Sequence, residues 1–135
     1  MGNRAVIQIQ GQETGVYLHW NGGYDTVKPL LDVAREYGLR PDDYGTARLA
    51  QMLGNFFGGI LNVGVGSIDR LDCNNGDNGT YVVDENFNIV KRLFYEGPEA
   101  DYHDYDEIRA AFKRVNNPYF LPDADLFSPS GRKSS

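Results

Sequence analysis

The sequence predicts a single α+β domain in which an antiparallel sheet of about five strands carries two to three helices on one face. The length of 135 residues is close to the commonest size of one domain. The predicted order of the elements is β-β-α-α-β-β-β-α, and consecutive hairpins favour an antiparallel sheet. No repeat or linker divides residues 1–117, whereas the Pro- and Ser-rich residues 118–135 predict an extended, loosely held tail.

The first predicted hairpin lies between residues 4 and 20. In RAVIQIQ (4–10), two sets of side chains alternate with a period of two, which is typical of a half-buried strand. GQETG then supplies turn residues, and the aromatic and β-branched stretch VYLHW (16–20) predicts the returning strand. NGG (21–23) ends this strand.

Two helices are predicted next, and each is stopped by glycine. The first is capped by Asp25 or Thr26 and runs to about Tyr37, with Pro29 tolerated in its first turn. Gly38 ends it. The second helix begins near residues 42–43 and ends at the GG pair, and its apolar side chains are Ala47, Ala50, Leu53, Phe56 and Phe57.

The rest of the chain predicts three strands and one helix. ILNVGVGSI (60–68) is typical of a strand, and TYVVD and NIVKRLFYEG flank the turn ENF and predict a second hairpin. In DYDEIRAAFKRV, Asp104 stands three residues before Glu107, which resembles a capping box at a helix N-terminus.

Composition excludes several classes of protein. The 19 acidic and 13 basic residues give a net charge of −6, so we expect no direct binding to nucleic acid. No apolar run approaches the roughly 20 residues that span a bilayer, so we expect no membrane association. The single cysteine, Cys73, cannot form an internal disulfide and is expected to be a free thiol in a reducing cytoplasm.

The sequence predicts no catalytic residue, no metal ligand set and no cofactor. Neither histidine lies in a metal-binding motif. The Asp- and Asn-rich loop 69–79 lacks the calcium-loop spacing, because Gly76 and Val83 stand where an oxygen ligand and a glutamate are needed. Asn-Gly pairs favour a turn there, with a metal or ligand loop as the alternative.

The acidic segment, EGPEADYHDYDE (96–107), is the strongest candidate for a binding surface. It holds six acids and no lysine or arginine, with tyrosines interleaved among the acids. One interpretation is a solvated loop whose last acids favour the following helix through its dipole. The other is a surface complementary to a basic groove of another protein, formed by Glu96, Glu99, Asp101, Tyr102, Asp104, Tyr105 and Asp106.

A small-molecule pocket is the second candidate site. It would form where the turn HWNGG (19–23) meets the loop CNNGDNG (73–79). A tryptophan could stack on a nucleotide base, and amide groups could bind its polar edges. The predicted residues are His19, Trp20, Asn21, Asn74, Asp77 and Asn78, and a shared pocket would make the protein a homo-oligomer.

Four motifs, MGNRAVI, YLHWNGG, GNFFGG and DNGTYVV, together resemble a family of small, largely uncharacterised proteins of phages, prophages and integrative elements of bacteria. The resemblance covers roughly residues 1–95. It implies an accessory factor in the cytoplasm of a bacterial host that blunts host defence. Such a factor binds a host or phage protein, for example the nucleic-acid groove of a CRISPR effector, or sequesters a nucleotide signal. The resemblance carries over no catalytic residues.

Overall fold

The computed structural model describes residues 3–117, so the predicted tail at 118–135 lies outside the described residues. The elements follow one another as β1 (Ala5–Ile9), β2 (Thr14–Leu18), α1 (Tyr24–Glu36), α2 (Asp43–Phe57), β3 (Val63–Ser67), β4 (Thr80–Val83), β5 (Ile89–Leu93) and α3 (Tyr105–Asn116). The predicted α+β domain with a five-stranded sheet is confirmed.

The sheet is mixed, and the prediction of a purely antiparallel sheet is wrong. The strand order is β3-β2-β1-β4-β5, and the pair β1–β4 is parallel, with Val6 opposite Thr80 and Ile9 opposite Val83. The two strands belong to different hairpins. The long connection from β1 to β4 contains β2, α1, α2 and β3, and a connection of this length can return the chain in the parallel direction.

The core lies between the sheet and the helices. The period of two in β1 is confirmed, because Ala5, Ile7 and Ile9 are buried in the same cluster. Leu30 and Leu53, from α1 and α2, are fully buried in this cluster, and each contributes roughly 1.5–3 kcal/mol by leaving water. The helices and β1 are thus held together by one apolar interior.

The covering loop, residues 68–79, lies over the second face of the sheet. A Cβ atom on Gly15 of β2 would lie 2.5 Å from Cδ1 of Ile68 and 3.3 Å from Cδ1 of Leu71. Only glycine therefore lets these side chains approach β2 so closely. Val6 and Val82, which alternate away from the core cluster, are buried as well.

The helix ends differ in part from the predicted ends. Gly23 is the N-cap of α1 and has no side-chain cap, so Asp25 lies in the first turn and is available for other contacts. Asp42 caps α2 by accepting a hydrogen bond from the Gly45 N–H, 3.1 Å away. The helix ends at Gly58, whose positive φ of 72° suits glycine.

Candidate functional site

The acidic segment connects β5 to α3 and passes beside the first turn of α1. Apart from Ala100, all of its residues from 96 to 107 are exposed. Three contacts between side chains and the rest of the fold nevertheless hold the segment. Two of these contacts come from α1, which is more than 70 residues away in the sequence.

The first anchor is Asp25 in the first turn of α1. Its Oδ2 accepts backbone hydrogen bonds from the N–H of Tyr102, at 2.6 Å, and from the N–H of His103, at 2.8 Å. Hydrogen bonds to an ionised acceptor are roughly twice as strong as neutral ones. Asp25 thus fixes the middle of the acidic segment to the start of α1.

The second anchor joins Tyr105, at the start of α3, to Asp32 on α1. The Tyr105 hydroxyl donates to Oδ2 of Asp32 at 2.5 Å, and this carboxylate also binds Lys28 at 2.7 Å and Arg35 at 3.0 Å. Burial favours a higher pKa for Asp32, but the hydrogen bonds from Lys28 and Tyr105 outweigh it and hold the pKa below its ordinary value. Burial and the bond to Asp32 raise the pKa of Tyr105 to about 12.

The third anchor is Arg92 on β5. Its guanidinium carbon lies 3.8 Å from the ring centre of Tyr81 and 4.3 Å from that of Tyr95. The same guanidinium donates to both carboxylate oxygens of Glu99 and, at 2.7 Å, to the carbonyl of Asn78. An arginine that contacts two aromatic rings and pairs with a carboxylate fixes the direction of the segment as it leaves β5.

The end of the acidic segment forms the N-terminus of α3. The side chain of Asp104 accepts a hydrogen bond from the Glu107 N–H at 3.0 Å, which confirms the predicted cap. Asp106 and Glu107 lie in the first turn, where the helix dipole favours negative charge.

The residues predicted to bind a partner therefore divide into two groups. Three of them hold the structure, namely Glu99, Asp104 and Tyr105. The others face solvent: Glu96, Asp101 and Asp106 take part in none of the salt bridges between residues 3 and 117, and Tyr102 is 90% exposed. The exposed group is a negative surface that also carries one aromatic ring, that of Tyr102.

A shallow groove separates the acidic segment from α1. Its volume is about 240 Å³, and its walls include Tyr24 and Pro29 from α1 and Asp101 and His103 from the segment. This volume is below the roughly 300–1,000 Å³ of sites that enclose a small ligand. A groove of this size beside exposed acids suits one inserted side chain of a binding partner.

The turn predicted for a small-molecule pocket is built around aromatic contacts. The Tyr17 hydroxyl lies 2.8 Å from Nδ1 of His19, and the His19 ring meets the ring of Trp20 edge-on, with centroids 4.7 Å apart. Trp20 is 46% exposed. Asn21 has a positive φ of 56°, as asparagine in a tight turn often does.

The polar side chains of the covering loop hold that loop to β1. Asp77 Oδ2 accepts from Nε of Arg4 at 2.7 Å and from its backbone N–H at 3.1 Å. Asn78 is buried and donates to Oδ1 of Asn3 at 2.5 Å. Of the three loop residues predicted to bind a ligand, only Asn74 is exposed and has no hydrogen bond within residues 3–117.

Asn75 organises this loop, although it is not among the predicted site residues. Its side chain accepts from the N–H of Asp77 and of Gly79 and donates to the carbonyls of Asp72 and Gly79, at 2.9–3.1 Å. The Asn75-Gly76 pair was the available signal, since this pair is typical of turns. Between residues 3 and 117, no three His, Cys, Asp or Glu side chains converge as a metal site would need.

The chain matches no protein-family model, no curated protein and no solved structure. None of the helices between residues 3 and 117 is both long and apolar enough to cross a lipid bilayer.

Proposed function

We propose that this protein is a non-enzymatic binding factor that docks onto a positively charged surface of another protein through its acidic segment. One observation carries the proposal: the segment is anchored to α1 and β5, while Glu96, Asp101, Tyr102 and Asp106 face solvent. A solvated loop would not need anchors from residues as distant as Asp25.

The anchors lower the cost of binding. A loop that is already ordered loses less conformational entropy when it meets its partner, so more of the contact energy appears as affinity. The unpaired acids would accelerate encounter with a basic surface and make binding sensitive to salt. Tyr102 would supply contact area with little side-chain entropy to lose.

The resemblance to mobile-element proteins indicates the class of partner. In the cytoplasm of a bacterial host, a defence effector such as a CRISPR nuclease carries a basic groove for nucleic acid. An acidic segment would compete there with the phosphate backbone, because both offer negative charge to the same lysine and arginine side chains. The proposed outcome is inhibition of the effector by protein–protein binding.

Binding of a nucleotide signal is the alternative function. It is supported by Trp20, whose half-exposed ring could stack on a base. It receives less support than the first proposal, because Asp77 and Asn78 are bound to Arg4 and Asn3. A rise in the unfolding temperature with cyclic or adenine nucleotides would favour this alternative.

The test compares three tagged proteins in pull-downs from a lysate of a candidate bacterial host. The segment variant neutralises four of the five acids of the segment that lack salt bridges and leaves the helix cap Asp104 in place: Glu96→Gln, Asp101→Asn, Asp106→Asn and Glu107→Gln. The control variant makes the same change of net charge at exposed acids elsewhere: Glu13→Gln, Asp43→Asn, Asp69→Asn and Glu85→Gln.

The proposal predicts a protein that is retained by the parent and by the control variant at low salt. The segment variant and high salt should each release it. Duplex DNA should compete with the parent if the captured protein binds nucleic acid. Equal retention by the segment variant would rule out the acidic segment as the binding surface.

A further inference from the structure

The two edges of the sheet are protected unequally against pairing with another strand. β5 carries the exposed Lys91, and its register with β4 shifts between Val82 and Val83, which leaves Val90 as an extra, bulged residue in β5. Both features discourage further pairing. At the other edge, β3 has the sequence VGVGS without any charge, and Val65 at its centre is 52% exposed. Within the described sheet, β3 is the edge that lacks such protection.

The backbone of β3 directs hydrogen-bonding groups outward. Backbone bonds join Asn62 and Ile68, just outside the two ends of β3, to residues flanking β2. Because hydrogen-bonded pairs alternate along an antiparallel ladder, the even-numbered residues of β3 bond to β2. The N–H and C=O groups of Val63, Val65 and Ser67 therefore point to the open edge. Among these groups, only the Ser67 carbonyl already accepts hydrogen bonds, from the N–H groups of Arg70 and Leu71 in the following turn.

The surroundings of this edge are apolar and uncharged. Residues 49–68 contain no Asp, Glu, Lys, Arg or His, although 24% of the chain is charged. Ile60 is 92% exposed and Leu61 is 82% exposed. Apolar side chains at this level of exposure beside an open strand mark an interaction surface.

We propose that β3 pairs with β3 of a second copy of this chain, antiparallel and about a two-fold axis at Val65. The Val65 N–H of each copy would donate a hydrogen bond to the Val65 carbonyl of the other. Ser67 N–H would donate to the Val63 carbonyl of the other copy, so four backbone hydrogen bonds form. The pairing sets Gly64 opposite Gly66, which leaves no side chains to collide on that face. Because this contact uses the same strand in both copies, it closes at two chains.

Charge favours a second copy as the occupant. In the register centred on Val65, the paired residues 63–67 of the two copies carry no charge, and the flanking residues back to position 49 contain no Asp, Glu, Lys, Arg or His. Two chains of net charge −6 can thus meet at this edge without like charges in contact.

The test is the mass of the full-length protein by sedimentation velocity over the micromolar range. The parent should approach the mass of two chains as its concentration rises. Val65→Lys should shift it to the mass of one chain, because two ammonium groups would stand directly opposite each other. Val90→Lys, at a comparably exposed site on β5, should behave as the parent does.

Circular dichroism and the unfolding temperature establish that both variants fold. A parent that keeps the mass of one chain throughout would overturn the proposal, as would a folded Val65→Lys protein with the mass of two chains. The parent could have the mass of one chain and capture another protein from a lysate, and Val65→Lys could abolish that capture. In that case a different protein binds at β3, and the second-copy proposal is wrong.

Discussion

The hydroxyl oxygen of Tyr105 lies 2.5 Å from Oδ2 of Asp32, and this contact joins the end of the acidic segment to the middle of α1. Asp32 is buried, and its carboxylate is already neutralised by Lys28 and Arg35. The Tyr105 hydroxyl therefore adds a hydrogen bond to a carboxylate that already has its ion-pair partners. Its role is to hold the acidic segment in place.

Tyr105→Phe should destabilise the domain by about 1–2 kcal/mol, because hydrogen bonds to charged groups contribute about that much or somewhat more. Tyr105 is 41% exposed, so water can replace part of the lost bond. Urea unfolding should show a lower midpoint with an unchanged slope. Tyr44→Phe, which alters a tyrosine that is 62% exposed, is the control and should leave the midpoint unchanged. An unchanged midpoint for Tyr105→Phe would show that the hydrogen bond to Asp32 does not contribute to stability.

Asp32 should contribute to the loss of stability in acid. Its pKa in the folded protein is lowered, so below the ordinary carboxyl pKa of about 3.9 the unfolded chain takes up a proton while folded Asp32 remains charged. The contribution is thus complete above that pH and is lost as the pH falls through the lower, folded pKa. The difference in unfolding free energy between the parent and Asp32→Asn should be largest near neutral pH and shrink below about pH 4. A difference that stays constant with pH would contradict the assigned ion pairs.

Two glycines of α2 should respond in opposite directions to alanine. A Cβ on Gly54 would have no atom within 4 Å, so Gly54→Ala should stabilise the domain by about 0.5–1 kcal/mol through helix propensity. A Cβ on Gly45 would lie 1.5 Å from the carbonyl oxygen of Arg40, which the backbone cannot avoid without shifting. Gly45→Ala should therefore cost roughly 3 kcal/mol or more. Thermal unfolding of both variants checks the pair, and equal effects would contradict the packing of α2.

Local patterns in the sequence predicted the local structure well. The alternation in residues 5–9 identified the buried face of β1, and Asp104 was recognised as the cap of α3. Asn-Gly in the covering loop favoured a turn. In each case the physical cause lies within a few neighbouring residues, so it can be recognised without knowing the fold.

Contacts between distant residues could not be predicted in this way. The parallel pairing of β1 with β4 joins residues more than 70 positions apart, and so do the bonds from Asp25 and Asp32 to the acidic segment. Arg92 and Glu99 are close in sequence, but their ion pair depends on the Tyr81 ring beneath the guanidinium. The acidic segment was visible as a charge pattern, whereas its anchors required the tertiary structure.

The most direct test of the proposed binding surface is photocrosslinking from the position of Tyr102. One variant carries benzoylphenylalanine in place of Tyr102, and the control variant carries it in place of Tyr44. Both tyrosines are exposed, but only Tyr102 lies on the acidic segment. After irradiation in a host lysate, we expect a discrete adduct from position 102. This adduct should disappear at high salt, and none should form from position 44. No adduct from position 102, or the same adduct from both positions, would contradict the acidic segment as the surface that binds a partner.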